Sequence, residues 1–108
     1  MHRMELVRGD TEKIRITYWN GWNECEPNFI EDGDIYTLTF RDKRKNEVVL
    51  SKSITYPENE FIIEHEDTKD LEIKDYKFDI EVRRPDTSMV KTLVVGIVFI
   101  REDITLGD

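Results

Sequence analysis

The sequence predicts an all-β fold of antiparallel strands, and three features support that prediction. Apolar and polar residues alternate with a period of two along most of the chain, as they do in strands with one buried face. Turn-forming residues recur about every 8–12 positions, a spacing typical of a sandwich or barrel. Only residues 66–71 have the composition of a helical segment, and they are long enough for about one turn.

Seven segments in chain order read as strands because they are rich in β-branched and aromatic residues. They are residues 4–8, 13–19, 34–41, 47–54, 60–65, 75–84 and 91–100. The sixth alternates most clearly, since charged residues separate Tyr76, Phe78, Ile80 and Val82. The predicted core consists of Ile14, Ile16, Leu38, Phe40, Phe78, Ile80, Val98 and Ile100.

Tyr76 narrows the fold class further. Immunoglobulin-type sandwiches often have a Tyr at the start of strand F, whose hydroxyl bonds to upstream backbone, and an inward residue two positions later. Tyr76 precedes Phe78 by two positions. Tyr76 is either this corner residue or simply the first inward aromatic of its strand. We predict one immunoglobulin-like β-sandwich of about seven strands over residues 1–108.

Composition argues against several classes of partner. The 108 residues include 24 Asp and Glu but 16 Lys and Arg, for a net charge of −8, so we expect no nucleic-acid partner. No segment has the length of a membrane span and the N-terminus lacks the apolar region of a secretion signal. Cys25 is the single cysteine, which excludes an internal disulfide. These features predict a soluble protein made in a reducing compartment, with no membrane partner.

Residues that could carry out catalysis are present but do not form a recognisable pattern. The serines lack the flanking glycines of a nucleophile elbow, and neither His2 nor His65 can be linked to one of them. The acidic segments 31–34 and 64–67 lack the ligand spacing of calcium or zinc sites. We therefore expect no enzymatic activity, no cofactor and no metal.

The segment from the end of the second predicted strand through the long connection to the third contains Trp19, Trp22 and Phe29. Exposed aromatic side chains on such a loop could anchor a partner. Alternatively, they fold back and close the open end of the core.

The last predicted strand is apolar at nearly every position. Either Gly96 marks a bulge that switches the inward face, or Ile97 and Phe99 point outward toward a partner. The second alternative predicts a homo-oligomer.

Arg8, Gly9 and Asp10 spell the tripeptide that many secreted proteins present to integrins. Without a secretion signal we interpret it as a turn between the first two strands. Gly9 would give the turn its conformational freedom, and Asp10 or Thr11 would bond to local backbone N–H groups.

Three motifs follow one another along the chain. They are residues 8–11; Asp67, Thr68, Leu71, Tyr76, Phe78, Asp79 and Ile80; and Thr92, Leu93, Gly96, Val98, Ile100, Asp103, Ile104 and Thr105. This set resembles small structural domains of tailed phages and prophages, notably the immunoglobulin-like N-terminal domain of upper baseplate proteins. The family has a Gly where this chain has Asp75.

The resemblance implies a non-enzymatic structural protein of a phage or prophage tail or baseplate. Its partners would be other virion subunits, and it would hold them through sheet edges and loop aromatics. The alternative is a carbohydrate- or receptor-binding module in which Trp19 and Trp22 stack on sugar rings.

Overall fold

The computed structural model describes residues 2–16, 18–19, 24–25 and 30–102, the two short segments by their backbone alone. These residues form nine strands and one short helix. In chain order they are β1 (His2–Val7), β2 (Glu12–Arg15), β3 (Tyr18–Trp19), β4 (Glu24–Cys25), β5 (Ile35–Asp42), β6 (Val48–Thr55), β7 (Glu60–Ile63), α1 (His65–Thr68), β8 (Lys74–Arg83) and β9 (Val90–Arg101). The predicted all-β class is therefore confirmed.

Five strands form the main sheet in the order β1-β9-β8-β5-β6. The three pairs among β9, β8, β5 and β6 are antiparallel. In contrast, β1 runs parallel to β9, so the expectation of a purely antiparallel fold is wrong at this edge. A parallel pair needs a long connection, and here nearly the whole chain lies between the two strands.

A smaller antiparallel sheet consists of β2 and β7, and β3 pairs with β4 in a short two-stranded ribbon. The predicted strand over 13–19 is thus divided, because β2 ends at Arg15 and residues 18–19 pair elsewhere. Phe61 and Ile63 of β7 are fully buried in the same apolar cluster as the inner face of the main sheet. The two sheets therefore share one core.

The alternation seen in the sequence places one face of each central strand in that core. On β5 and β8 every even-numbered residue from Tyr36 to Asp42 and from Tyr76 to Val82 is buried. Seven of the eight predicted core residues are buried, whereas Ile14 is half-buried and packs against the cluster. The prediction succeeded because a period of two leaves little freedom once one face is buried.

Gly96 is needed because two backbones approach closely. It lies on β9 between His2 of β1 and Phe78 of β8, and its register with both strands is regular. A Cβ atom here would overlap the carbonyl oxygen of His2 and lie 2.7 Å from Cε1 of Phe78. The alternative of a bulge at Gly96 is therefore wrong, and the register shift falls between Ile80 and Glu81 of β8.

The turn between β1 and β2 rests on α1. Asp10 N–H donates to Val7 O (3.1 Å), and Gly9 has a positive φ of 84°. Gly9 N–H donates to the hydroxyl of the buried Thr68 (2.8 Å), while His65 Nδ1 donates to Gly9 O (2.7 Å). The sequence predicts bonds from Asp10 or Thr11 to local backbone N–H groups, whereas the side chains that hold Gly9 come from a distant segment.

The Tyr76 hydroxyl donates to the backbone oxygen of Glu72, four residues upstream, at 2.9 Å. Its side chain is 2% exposed, so this bond satisfies a polar group that water hardly reaches. It fixes the start of β8 to the segment that follows α1.

Replacing Gly96 by Ala should lower the free energy of unfolding by about 2 kcal/mol, because the new methyl group displaces β1 or Phe78. Urea denaturation measures the change. Val95→Ala, one residue away on the exposed face, is the control and should cost much less. Equal losses in the two variants would contradict the close approach of β1.

Tyr76→Phe should lower the free energy of unfolding by about 1 kcal/mol, the usual contribution of one hydrogen bond. The same denaturation experiment applies. Glu72→Gln keeps the accepting carbonyl and should match the wild type, whereas an unchanged Tyr76→Phe variant would show that the bond contributes nothing.

Candidate interaction surface

The outer face of β9 bears an apolar stripe formed by Val95, Ile97 and Phe99. Gly96, Val98 and Ile100 lie on the inward side of β9. The side chains of Val95, Ile97 and Phe99 therefore point away from the core. Val95 is 58% exposed and Phe99 37% exposed, and Ile97 is half-buried. The structure thus favours the outward alternative for Ile97 and Phe99, and it adds Val95, which was not among the predicted surface residues.

Charged residues on the neighbouring strands flank the stripe in rows. Ile97 is paired with Arg3 of β1 and Lys77 of β8, so a cation lies on each side of it. Phe99 is paired with Glu5 and Asp75 on the same two strands, so an anion lies on each side. We call these the cationic row and the acidic row. The opposite charges of Lys77 and Asp75 on β8 can be read in the sequence. The positions of the β1 charges beside the stripe depend on the parallel register of β1.

Two open clefts border Phe99. The smaller, of about 380 Å³, opens toward β1 and is lined by Arg3, Met4, Glu5, Asp75 and Phe99. The larger, of about 570 Å³, opens toward the end of β5. Phe99 therefore projects from a surface with space beside it for side chains of another molecule.

The larger cleft contains an ion pair in which Lys74 Nζ lies 2.5 Å from Asp42 Oδ2. Asp42 also accepts backbone N–H groups of Arg44 and Lys45 at 2.8 and 3.0 Å. The bond from Lys74 and these two backbone donors hold the pKa of Asp42 well below its usual value. A carboxylate so strongly held is a poor general base, and its role here is to close the turn after β5.

The two acidic segments have structural partners. In residues 31–34, Asp34 is 1% exposed and receives two hydrogen bonds from Arg84 (2.9 and 3.0 Å). In residues 64–67, Asp67 accepts the N–H of Glu64 (2.7 Å) and pairs with Lys52 (2.7 Å). In the part of the chain that the structure describes, no group of three or more His, Cys, Asp or Glu side chains is arranged to hold a metal ion.

The aromatic connection stays a prediction. Trp22 and Phe29 lie outside the described residues, and for Trp19 only the backbone is described, within β3. The turn residues Gly9 and Asp10 lie at the end of the molecule where α1 contacts the β1–β2 turn.

None of the described helices is long and apolar enough to cross a membrane. No known family model matches the chain, and no curated protein has significant sequence similarity to it.

Asp42→Asn tests the structural role of the ion pair. Since the folded state lowers the pKa of Asp42 below the ordinary value of 3.8, its stabilisation is complete above that pH and is lost as the pH falls further. The difference in unfolding free energy between wild type and Asp42→Asn should thus be largest near pH 6 and shrink below about pH 4. Asp86→Asn, in the exposed turn after β8, is the control. A difference independent of pH would contradict the assignment.

Proposed function

We propose that this chain is a non-enzymatic structural domain of a phage or prophage tail or baseplate, where it joins virion subunits. The single observation that carries the proposal is the apolar stripe of Val95, Ile97 and Phe99 on the outer face of the main sheet. A chain with a net charge of −8 resists nonspecific association. Contact with another subunit must therefore come from a local apolar surface of this kind.

The residues of the family resemblance support this proposal through their positions. The 8–11 segment forms the turn that rests on Thr68 of the second motif. Tyr76 of the second motif secures the start of β8, and Gly96 of the third allows β1 to approach β9. Conformational demands of this kind are what a structural module would place on its motif residues.

We also propose that the fold is an immunoglobulin-like β-sandwich. The support is the common core of the main sheet and the β2–β7 sheet, together with the Tyr76 bond at the start of a central strand. In this proposal the second layer contains β2 and β7, and the outer face of the main sheet is left for partners.

The energetics of the stripe are favourable for assembly. Burying a large apolar side chain contributes about 1.5–3 kcal/mol, and Ile97 and Phe99 are only partly buried within the chain. Association costs at least about 4 kcal/mol in lost translational and rotational freedom. A contact that covers the stripe and its flanking charges is therefore weak in an isolated pair and becomes stable when repeated in a virion.

Purified particles from the encoding phage or induced prophage should contain the protein, as detected by mass spectrometry. Complementation of a deletion with an Ile97→Lys/Phe99→Lys variant should reduce its incorporation at least tenfold, because two charged groups would be buried against a subunit. Val90→Lys changes an exposed apolar residue elsewhere on β9 and is the matched control.

Absence of the wild-type protein from the particles would overturn the virion role. Normal incorporation of the double variant would instead remove the stripe from the contact. Glycan binding that is lost in Trp22→Ala would favour the carbohydrate-binding alternative.

A further inference from the structure

We propose that the outer face of the main sheet binds the same face of a second copy of this chain. The two copies are related by a two-fold axis that lies between the two sheets, perpendicular to β9, at the level of Val98. This inference rests on the proposed function only in taking that face as a contact surface. In this arrangement the two β9 strands run antiparallel across the interface, and Ile97 of each copy lies over Phe99 of the other.

The partner is identified by the charges that flank the stripe. An axis at the level of Val98 exchanges the level of Ile97 with that of Phe99. The cationic row of one copy, formed by Arg3 and Lys77, therefore lies over the acidic row of the second, formed by Glu5 and Asp75. The complementarity holds on both sides of the stripe, because each flanking strand carries one residue of each sign.

Other two-fold arrangements that stack the stripe on itself are less favourable. An axis along β9 places β8 over β1, so that Lys77 meets Arg3 and Asp75 meets Glu5. An axis at Ile97 places Lys77 over Lys77. Packed sheets lie about 10 Å apart, which is about the Debye length at moderate salt. Like charges on long side chains that face each other across this distance therefore repel.

An axis at Gly96 is the nearest competitor, since it brings Lys77 over Asp79 on β8. It also brings Asp75 toward Glu81, which are both acidic, and it carries Phe99 away from the centre of the contact. The axis at Val98 is the arrangement in which Ile97 and Phe99 are central and both flanks are matched.

The surface has space for this exchange. The smaller cleft beside Phe99 is lined by Glu5 and Asp75, and it lies where the axis brings Arg3 of the second copy. Glu5 already pairs with Arg101 at 3.3 Å, but a carboxylate has about four acceptor positions and can receive a second cation. Lys77 of the second copy meets Asp75 between the two clefts.

The size of the face predicts a weak and salt-dependent dimer. Four strands about 4.8 Å apart and seven residues long cover roughly 450 Å² of sheet per copy. This is below the roughly 800 Å² per partner of a stable standard interface. Association should therefore appear at high protein concentration and low ionic strength.

Sedimentation velocity on paired charge reversals tests the geometry. Lys77→Asp and Asp75→Lys each place like charges across the axis, so either variant alone should dimerise at least tenfold more weakly than wild type. An equimolar mixture of the two variants should recover dimers. In the mixed pair one chain carries carboxylates at both positions, and these face the two ammonium groups that the other chain carries there. The double variant Lys77→Asp/Asp75→Lys should also recover dimers.

Arg83→Asp and Asp86→Lys make the same changes in net charge away from the stripe, and they should leave dimerisation unchanged. The proposal is overturned if the wild type is monomeric at high micromolar concentration in low salt, or if the mixture of the two single variants stays monomeric. Since these measurements use purified protein, a monomer that is still incorporated into particles would refute the two-fold contact and leave the virion role intact.

Discussion

The close approach of β1 to Gly96 is the constraint on which the rest of the structure depends. Only a residue without a Cβ atom allows the carbonyl of His2 to lie against β9 while Phe78 packs beneath. The parallel register that this approach allows places Arg3 and Glu5 beside Ile97 and Phe99. The charge pattern on the outer surface thereby depends on a close contact inside the sheet.

The turn that follows β1 is the second place where this part of the chain is held. After β1, Gly9 bonds through its N–H to Thr68 and through its carbonyl to His65. The helix that supplies these partners is joined to β6 by the ion pair of Lys52 and Asp67. A helix of one turn has little stability of its own, so the helix and the turn depend on each other, and the His65 and Asp67 side chains serve this contact.

The two faces of the main sheet differ in composition. The inner face is apolar apart from Asp42 at the end of β5 and shares its core with the β2–β7 sheet, which gives the domain its stability. The outer face combines a narrow apolar stripe with charges of both signs, a composition suited to reversible contacts with defined orientation. Alternate residues of β9 thus lie on opposite faces, so changes at Ile97 or Phe99 affect the outer surface while Val98 and Ile100 remain in the core.

The sequence by itself determined the all-β class, seven of the strands and nearly all of the predicted core, because alternation is a local property that burial of one face makes decisive. It also determined that Ile97 and Phe99 share a face. Only the tertiary structure decided that β1 runs parallel to β9, that Gly96 is required by a neighbouring backbone, and that α1 holds the 8–11 turn. These features depend on contacts between residues distant in the chain, such as His65 with Gly9, and a local pattern cannot specify which distant segments meet.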